Sequence, residues 1–146
     1  VRNDGIFTNS PDANLARGIS IGSTMAVRGV RGATTVVEDN REAIIDATTE
    51  LLNEIVAANE IDKDDLASVQ FTTTTDLVSE FPAVAARMLG WVHVPLMNSH
   101  EMAVPHGFPR CIRVLMTWNT DLAPQDVKHI YLRDAVNLLT KQSKLT

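Results

Sequence analysis

The run CIRVLMTW, Cys111–Trp118, is the most strand-like stretch of the chain. Side chains along a strand alternate between its two faces. Ile112, Val114, Met116 and Trp118 therefore share one face, and Arg113, Leu115 and Thr117 share the other. Both faces carry apolar residues, so Arg113 is expected to enter a desolvated place. An unpaired guanidinium there costs several kcal/mol and needs a partner. The pattern leaves two partners open, a protein carboxylate in a structural ion pair or an anionic ligand. A guanidinium suits a ligand carboxylate because its fork makes two parallel hydrogen bonds.

Working outward, four more segments read as strands. Residues 26–31 alternate weakly and are expected to end at Gly32. Arg28 and Arg31 are three apart, so they point to opposite sides, and at least one faces the interior or a cleft. ASVQFTTTT sets Val69, Phe71 and Thr73 against Ser68, Gln70 and Thr72, a strand with one drier face. VHVPLM, Val92–Met97, reads as a strand with Pro95 suited to an edge or bulge. KHIYL, Lys128–Leu132, reads as a short strand.

Two segments read as helices. Asp39 offers an N-cap with Glu42 three residues later, as in a capping box. Ile44, Ile45, Leu51, Leu52, Ile55 and Val56 then follow a helical period. EFPAVAARMLGW starts a short helix at Pro82 and stops it at Gly90. IDKDDLAS reads as a polar turn or short helix, and NSHEMAVPHGFPR as a long loop. Five strands with one long and one short helix imply an α/β or α+β domain, with the long helix covering one sheet face.

The chain has 146 residues, 45% hydrophobic and 21% charged, enough for one domain with a real core. Its formal net charge is −5, which argues against nucleic acid as the main partner but not against a small anion in a local basic pocket. No apolar run approaches the roughly 20 residues of a membrane span. Cys111 is the single cysteine, so an intrachain disulfide is excluded and a cytoplasmic, reducing location is expected. Residues 1–24 are rich in Asn, Ser, Gly and Asp and read as an extension or leader, 25–139 as the domain, and 140–146 as a mobile polar tail.

The residues that carry chemistry are few. Glu101 stands in the long loop, either as a solvated carboxylate or as a partner for an arginine or a ligand hydroxyl. Tyr131 is the single tyrosine, in a short apolar strand, and its phenol needs a hydrogen-bond partner if buried. His100, Glu101 and His106 lack the zinc-binding HExxH spacing. GVRGATT lacks the end of a phosphate loop, and no GxSxG elbow occurs. Cys111 in a core strand reads as an inert buried thiol. With no nucleophile, metal cluster or general-base pair in view, a fitting reaction is one driven by holding a conformer and stabilising developing charge.

The segments VRGVRGATTV, FPAVAAR, HEMAV, CIRVLMTWNTD and HIYL, in this order and spacing, resemble the monofunctional AroH-type chorismate mutases over Met25–Leu139. The resemblance implies the rearrangement of chorismate to prephenate with no cofactor and no metal. It implies a mixed sheet with helices outside, and a homotrimer with a barrel-like core and active sites between subunits. It implies catalytic roles for Arg113 at the breaking ether oxygen, Glu101 at the ring hydroxyl and Arg31 at a carboxylate, with Arg28 left to a supporting role. Tyr131, Arg87, Phe81, Ala83, Asn98, Met97 and Leu138 match substrate-binding positions. Val84 stands where the family has a lysine, and Met97 and Asn98 where it has a threonine and a cysteine. The expected partners are chorismate and copies of the same chain, with neither nucleic acid nor membrane. A second reading is an imine deaminase of the RidA-like type or a non-catalytic trimer binding small anions, both with arginine-lined clefts.

Overall fold

In the computed structural model, which describes residues 26–142, the Cys111–Thr120 strand is the centre of the sheet. Numbered along the chain, the strands are β1 Ala26–Thr35, β2 Leu66–Thr73, β3 Leu96–His100, β4 Cys111–Thr120 and β5 Ile130–Tyr131. They lie in the order β3-β2-β4-β1-β5. Strand β4 runs antiparallel to both β1 and β2, while β3 is parallel to β2 and β5 is parallel to β1. The sheet is therefore mixed, within the α/β class. The expectations for residues 1–24 and for the last four residues lie outside the described residues.

Helix α1, Arg41–Asn59, covers one face. It buries Ile44, Ile45, Ala47, Leu51, Leu52 and Ile55 against the sheet residues Val30, Val69, Phe71, Ile112, Val114 and Met116. Burying a side chain of this size contributes about 1.5–3 kcal/mol. Gly32 permits the close approach of helix to sheet. A Cβ there would lie 2.5 Å from Ile55 Cδ1, 3.0 Å from Val114 Cγ1 and 3.1 Å from Leu51 Cδ1. Helix α2, Ala83–Met88, crosses between β2 and β3 and ends before Gly90, whose φ is +86°. Helix α3, Asn137–Gln142, closes the described chain, and its six residues are too short to display a period in sequence.

Several expectations need correction. The N-cap of α1 is Asn40, whose Oδ1 accepts from Ala43 N at 2.8 Å. Glu42 then falls in the first turn and not at the position a capping box requires. Asp39 is drawn elsewhere: its Oδ1 accepts from Val78 N and Ser79 N at 3.1 and 3.0 Å. Desolvation would raise the Asp39 carboxyl, but the bonds with Ser79 and Val78 outweigh it and hold the group below its ordinary value. With the Arg41–Glu80 ion pair at 2.9 Å, this fastens the loop before α2 to the start of α1.

Strand β1 runs past Gly32 to Thr35, because β4 pairs with it as far as Thr35↔Cys111. Strand β3 begins at Leu96, later than expected. Pro95 lacks an N–H, so its carbonyl serves the ladder instead, accepting from Val69 N at 2.9 Å. The strand takes in Asn98–His100, which read as loop, and Glu101 N extends the ladder to Thr73 O at 2.8 Å.

Candidate active site

The sheet face opposite α1 carries the site. Cross-strand partners point to the same side. The register therefore places Ser99, Thr72, Arg113, Ala33 and Tyr131 in one row across all five strands. The adjacent row holds Met97, Gln70, Leu115 and Arg31. Arg31 and Arg113 are diagonal neighbours, a relation that puts Cβ atoms roughly 7–8 Å apart. Two cations at that spacing can hold two anionic groups of one small molecule.

Arg113 departs from its expected desolvated place. Its side chain is 46% exposed. It does have a partner: Nε lies 3.1 Å from Glu101 Oε1. The same oxygen accepts from Thr72 Oγ1 at 2.7 Å. Glu101 is held by the β3 ladder at its backbone, and by one hydrogen bond and one ion pair at its carboxylate. Sequence reasoning missed Thr72, whose only signal was its place on the wetter face of β2.

A cleft of about 440 Å³ opens beside this pair. Arg31, Thr72, Arg113, Leu115, Tyr131 and Leu138 line it, with His106 and Phe108 from the loop before β4. Arg28 points the other way, and its Nε donates to Leu122 O at 2.8 Å. Alternation therefore separates the two arginines, with Arg31 on the cleft side. At the far edge Arg31 N donates to His129 Nδ1 at 3.0 Å. The ring nitrogen thus takes the place of a backbone acceptor between β1 and β5. Burial, and after it the Arg31 charge, push the His129 pKa down, favouring the neutral ring that this bond needs. Asn59, at the end of α1, clamps the approach to β5. Its Nδ2 donates to Lys128 O and its Oδ1 accepts from Lys128 N, both at 2.8 Å. Burial pushes the Cys111 thiol up, in keeping with an inert group.

The other sequence candidates lie apart. Phe81 and Asn98 line a second cleft of about 360 Å³ with Pro82, Ser99 and His100. The two clefts share no lining residue. Asn98 Oδ1 accepts from Ala83 N at 3.0 Å and so supplies the cap that Pro82 cannot give to α2. Ala83 is buried in the core, Met97 is exposed on the open face, and Arg87 Nη1 donates to Trp91 O at 2.5 Å. None of these three lines either cleft. One protomer thus gathers Arg31, Glu101, Arg113, Tyr131 and Leu138, and keeps Phe81, Ala83, Arg87, Met97 and Asn98 away from them.

A family model for chorismate mutase type I matches residues 27–141. The chain belongs to the chorismate mutase type I family. Its function is accordingly that of a chorismate mutase, an isomerase, in the shikimate pathway and aromatic amino acid biosynthesis. Among the readings left open by the arginine-lined pattern, membership selects the mutase. The chorismate mutase AroH of Thermus thermophilus is 54% identical over 113 residues, covering 77% of this chain and 93% of the relative. That of Bacillus subtilis (strain 168) is 41% identical over 127 residues, covering 83% of this chain and all of the relative. The solved chorismate mutase from Clostridium thermocellum superposes with a TM-score of 0.74 at 43% identity, covering 75% of this chain and 97% of that one. No helix among the described residues of this chorismate mutase family member is long and apolar enough to cross a membrane.

Proposed function

We propose that the arginine-lined cleft is one half of the chorismate site and that a neighbouring copy of the chain supplies the other half. The separation of the two residue groups within one protomer supports this reading. So does the open face, where Met97, Leu115 and Val27 are exposed without a covering layer. An uncovered sheet face that bears exposed apolar side chains is suited to association. In a homotrimer with cyclic symmetry, each interface joins two different surfaces, so the Arg113 cleft of one copy meets the Phe81–Asn98 region of the next. The protein is cytoplasmic in this reading.

The chemistry follows from the residues in the cleft. Chorismate is a dianion that must fold into a chair-like conformer before its side chain can migrate. Arg31 holds one carboxylate, with Tyr131 on the same side, and restricts the substrate to the reactive shape. As the ether bond breaks ahead of carbon–carbon bond formation, negative charge grows on the ether oxygen and positive charge on the ring. Arg113 spends Nε on Glu101 and presents the rest of its guanidinium to the ether oxygen. Glu101 accepts from the ring hydroxyl and answers the positive charge of the ring. All groups are in place before the reaction, so they need little reorganisation as charge develops. Leu138 and Leu115 supply apolar walls, and Phe81, with Asn98 and its amide N–H groups, closes the cleft from the neighbour.

The observation that carries this reading is the Arg113–Glu101 pair, with Thr72, the cross-strand partner of Arg113, bonded to the same carboxylate oxygen and Arg31 on the adjacent row. Purified protein, dialysed against chelator, is expected to consume chorismate absorbance with prephenate appearing in equal amount. A silent assay from folded, assembled protein would overturn it.

A further inference from the structure

One oxygen of the Glu101 carboxylate is held by a hydrogen bond and by an ion pair. Thr72 Oγ1 donates to Oε1 at 2.7 Å, and Arg113 Nε meets Oε1 at 3.1 Å. Thr72 and Arg113 are direct cross-strand partners, so both groups rise from one row of the sheet. Glu101 approaches from the end of β3, with its own N–H fixed on Thr73 O at 2.8 Å. A carboxylate anchored at its backbone, and at one oxygen by a hydrogen bond and an ion pair, has little freedom to rotate. Its second oxygen, Oε2, has no hydrogen bond to a protein donor among the described residues.

We propose that Thr72 is the positioning residue for Glu101, fixing Oε1 so that Oε2 is presented to the ring hydroxyl of the substrate; this rests on the chorismate-site reading above. Arg113 cannot do both jobs alone. Its guanidinium is shared with the ether oxygen and meets Oε1 as an ion pair, whereas the hydroxyl of Thr72 makes a directed hydrogen bond. The hydroxyl of Thr72 keeps the carboxylate in register while the rest of the Arg113 guanidinium faces the substrate. Thr72 itself touches no reacting atom in this scheme.

The test compares Thr72→Val, which keeps the branched shape and removes the donor, with Thr72→Ser, which keeps the donor. A hydrogen bond to a charged group contributes about 1.5–3 kcal/mol, so Thr72→Val should lower kcat about tenfold or more. KM should change less than kcat, and Thr72→Ser should recover most of the rate. A chorismate analogue without the ring hydroxyl provides the decisive readout. It has nothing to offer Oε2, so Thr72→Val should cost little beyond the analogue's own slow rate. If Thr72→Val does not fold, Thr72→Ala is read in the same way. Thr72→Val as fast as the parent, Thr72→Ser as slow as Thr72→Val, or an undiminished loss with the analogue would each overturn the role. A parent protein that fails to convert chorismate would instead refute the site reading, and this inference with it.

Discussion

Replacing Arg113 with alanine should separate catalysis from folding. The side chain is 46% exposed, and its ion pair with Glu101, at 3.1 Å, borders solvent. Exposed pairs contribute about 0–1 kcal/mol, so Arg113→Ala should lose no more than about 1 kcal/mol of stability in a urea titration. The transition state suffers far more. Removing one preorganised donor aimed at developing negative charge costs about 3–4 kcal/mol, or roughly a hundred- to thousandfold in kcat. Arg113→Lys keeps the charge but has no Nε and no planar fork, so it leaves Glu101 to Thr72 alone and should recover only part of the rate. Initial rates of chorismate loss across a saturation curve, measured beside the urea titration, give both quantities. A folded Arg113→Ala variant with near-parent kcat would refute the reasoning. So would a rate loss no larger than the loss of stability.

Three further outcomes follow from the same geometry. Arg31→Ala should cripple chorismate turnover, whereas Arg28→Ala, which loses its bonds to Leu122 O and, at 3.4 Å, to Val27 O, should cost about 0.5–1.5 kcal/mol of stability and little rate; equal rate losses in two folded variants would count against the choice. Asn59→Ala removes both bonds to the Lys128 backbone, so it should destabilise by about 1–3 kcal/mol or more in denaturant titration and raise KM through a loosened Tyr131 strand. His129 has a folded-state pKa below its ordinary 6.5, so the unfolded chain takes up the proton first as pH falls. Its contribution to stability is complete above pH 6.5 and declines as pH drops through that value toward the folded-state pKa, and His129→Gln should flatten this part of the stability–pH curve.

The parts of the fold that depend on local alternation were legible in sequence. The two faces of β4 and of β2 divide as their residues suggest, and the apolar stripe of α1 lies on the sheet. Segments decided by tertiary contact were not. Asp39 and Asn40 are both good caps, and only the loop at Val78 and Ser79 determines which is free to serve the helix. VHVPLM has strand composition, yet Pro95 delays the ladder to Leu96. The open side of the sheet explains why Arg113 looked destined for a desolvated place. Leu115 and Met97 give that side an apolar character, and sequence does not say whether a helix or another copy of the chain covers it. Arg31, Glu101, Arg113 and Tyr131 are legible as candidates because they carry charge or a phenol and match a family pattern. Thr72, His129 and Asn59 support them through contacts made only after strands from distant parts of the chain have met.

The central claim is that each site is assembled from two copies of the chain, and complementation tests it most directly. Arg113→Ala disables the arginine-lined half, and Phe81→Asp places a carboxylate on an exposed position of the other half. Each variant alone should be nearly inactive toward chorismate. Co-refolded in equal amounts as random trimers, about one interface in four should join two intact halves, so roughly a quarter of the parent activity should return. Mixed trimers that stay as inactive as the separate variants would contradict an active site shared between subunits.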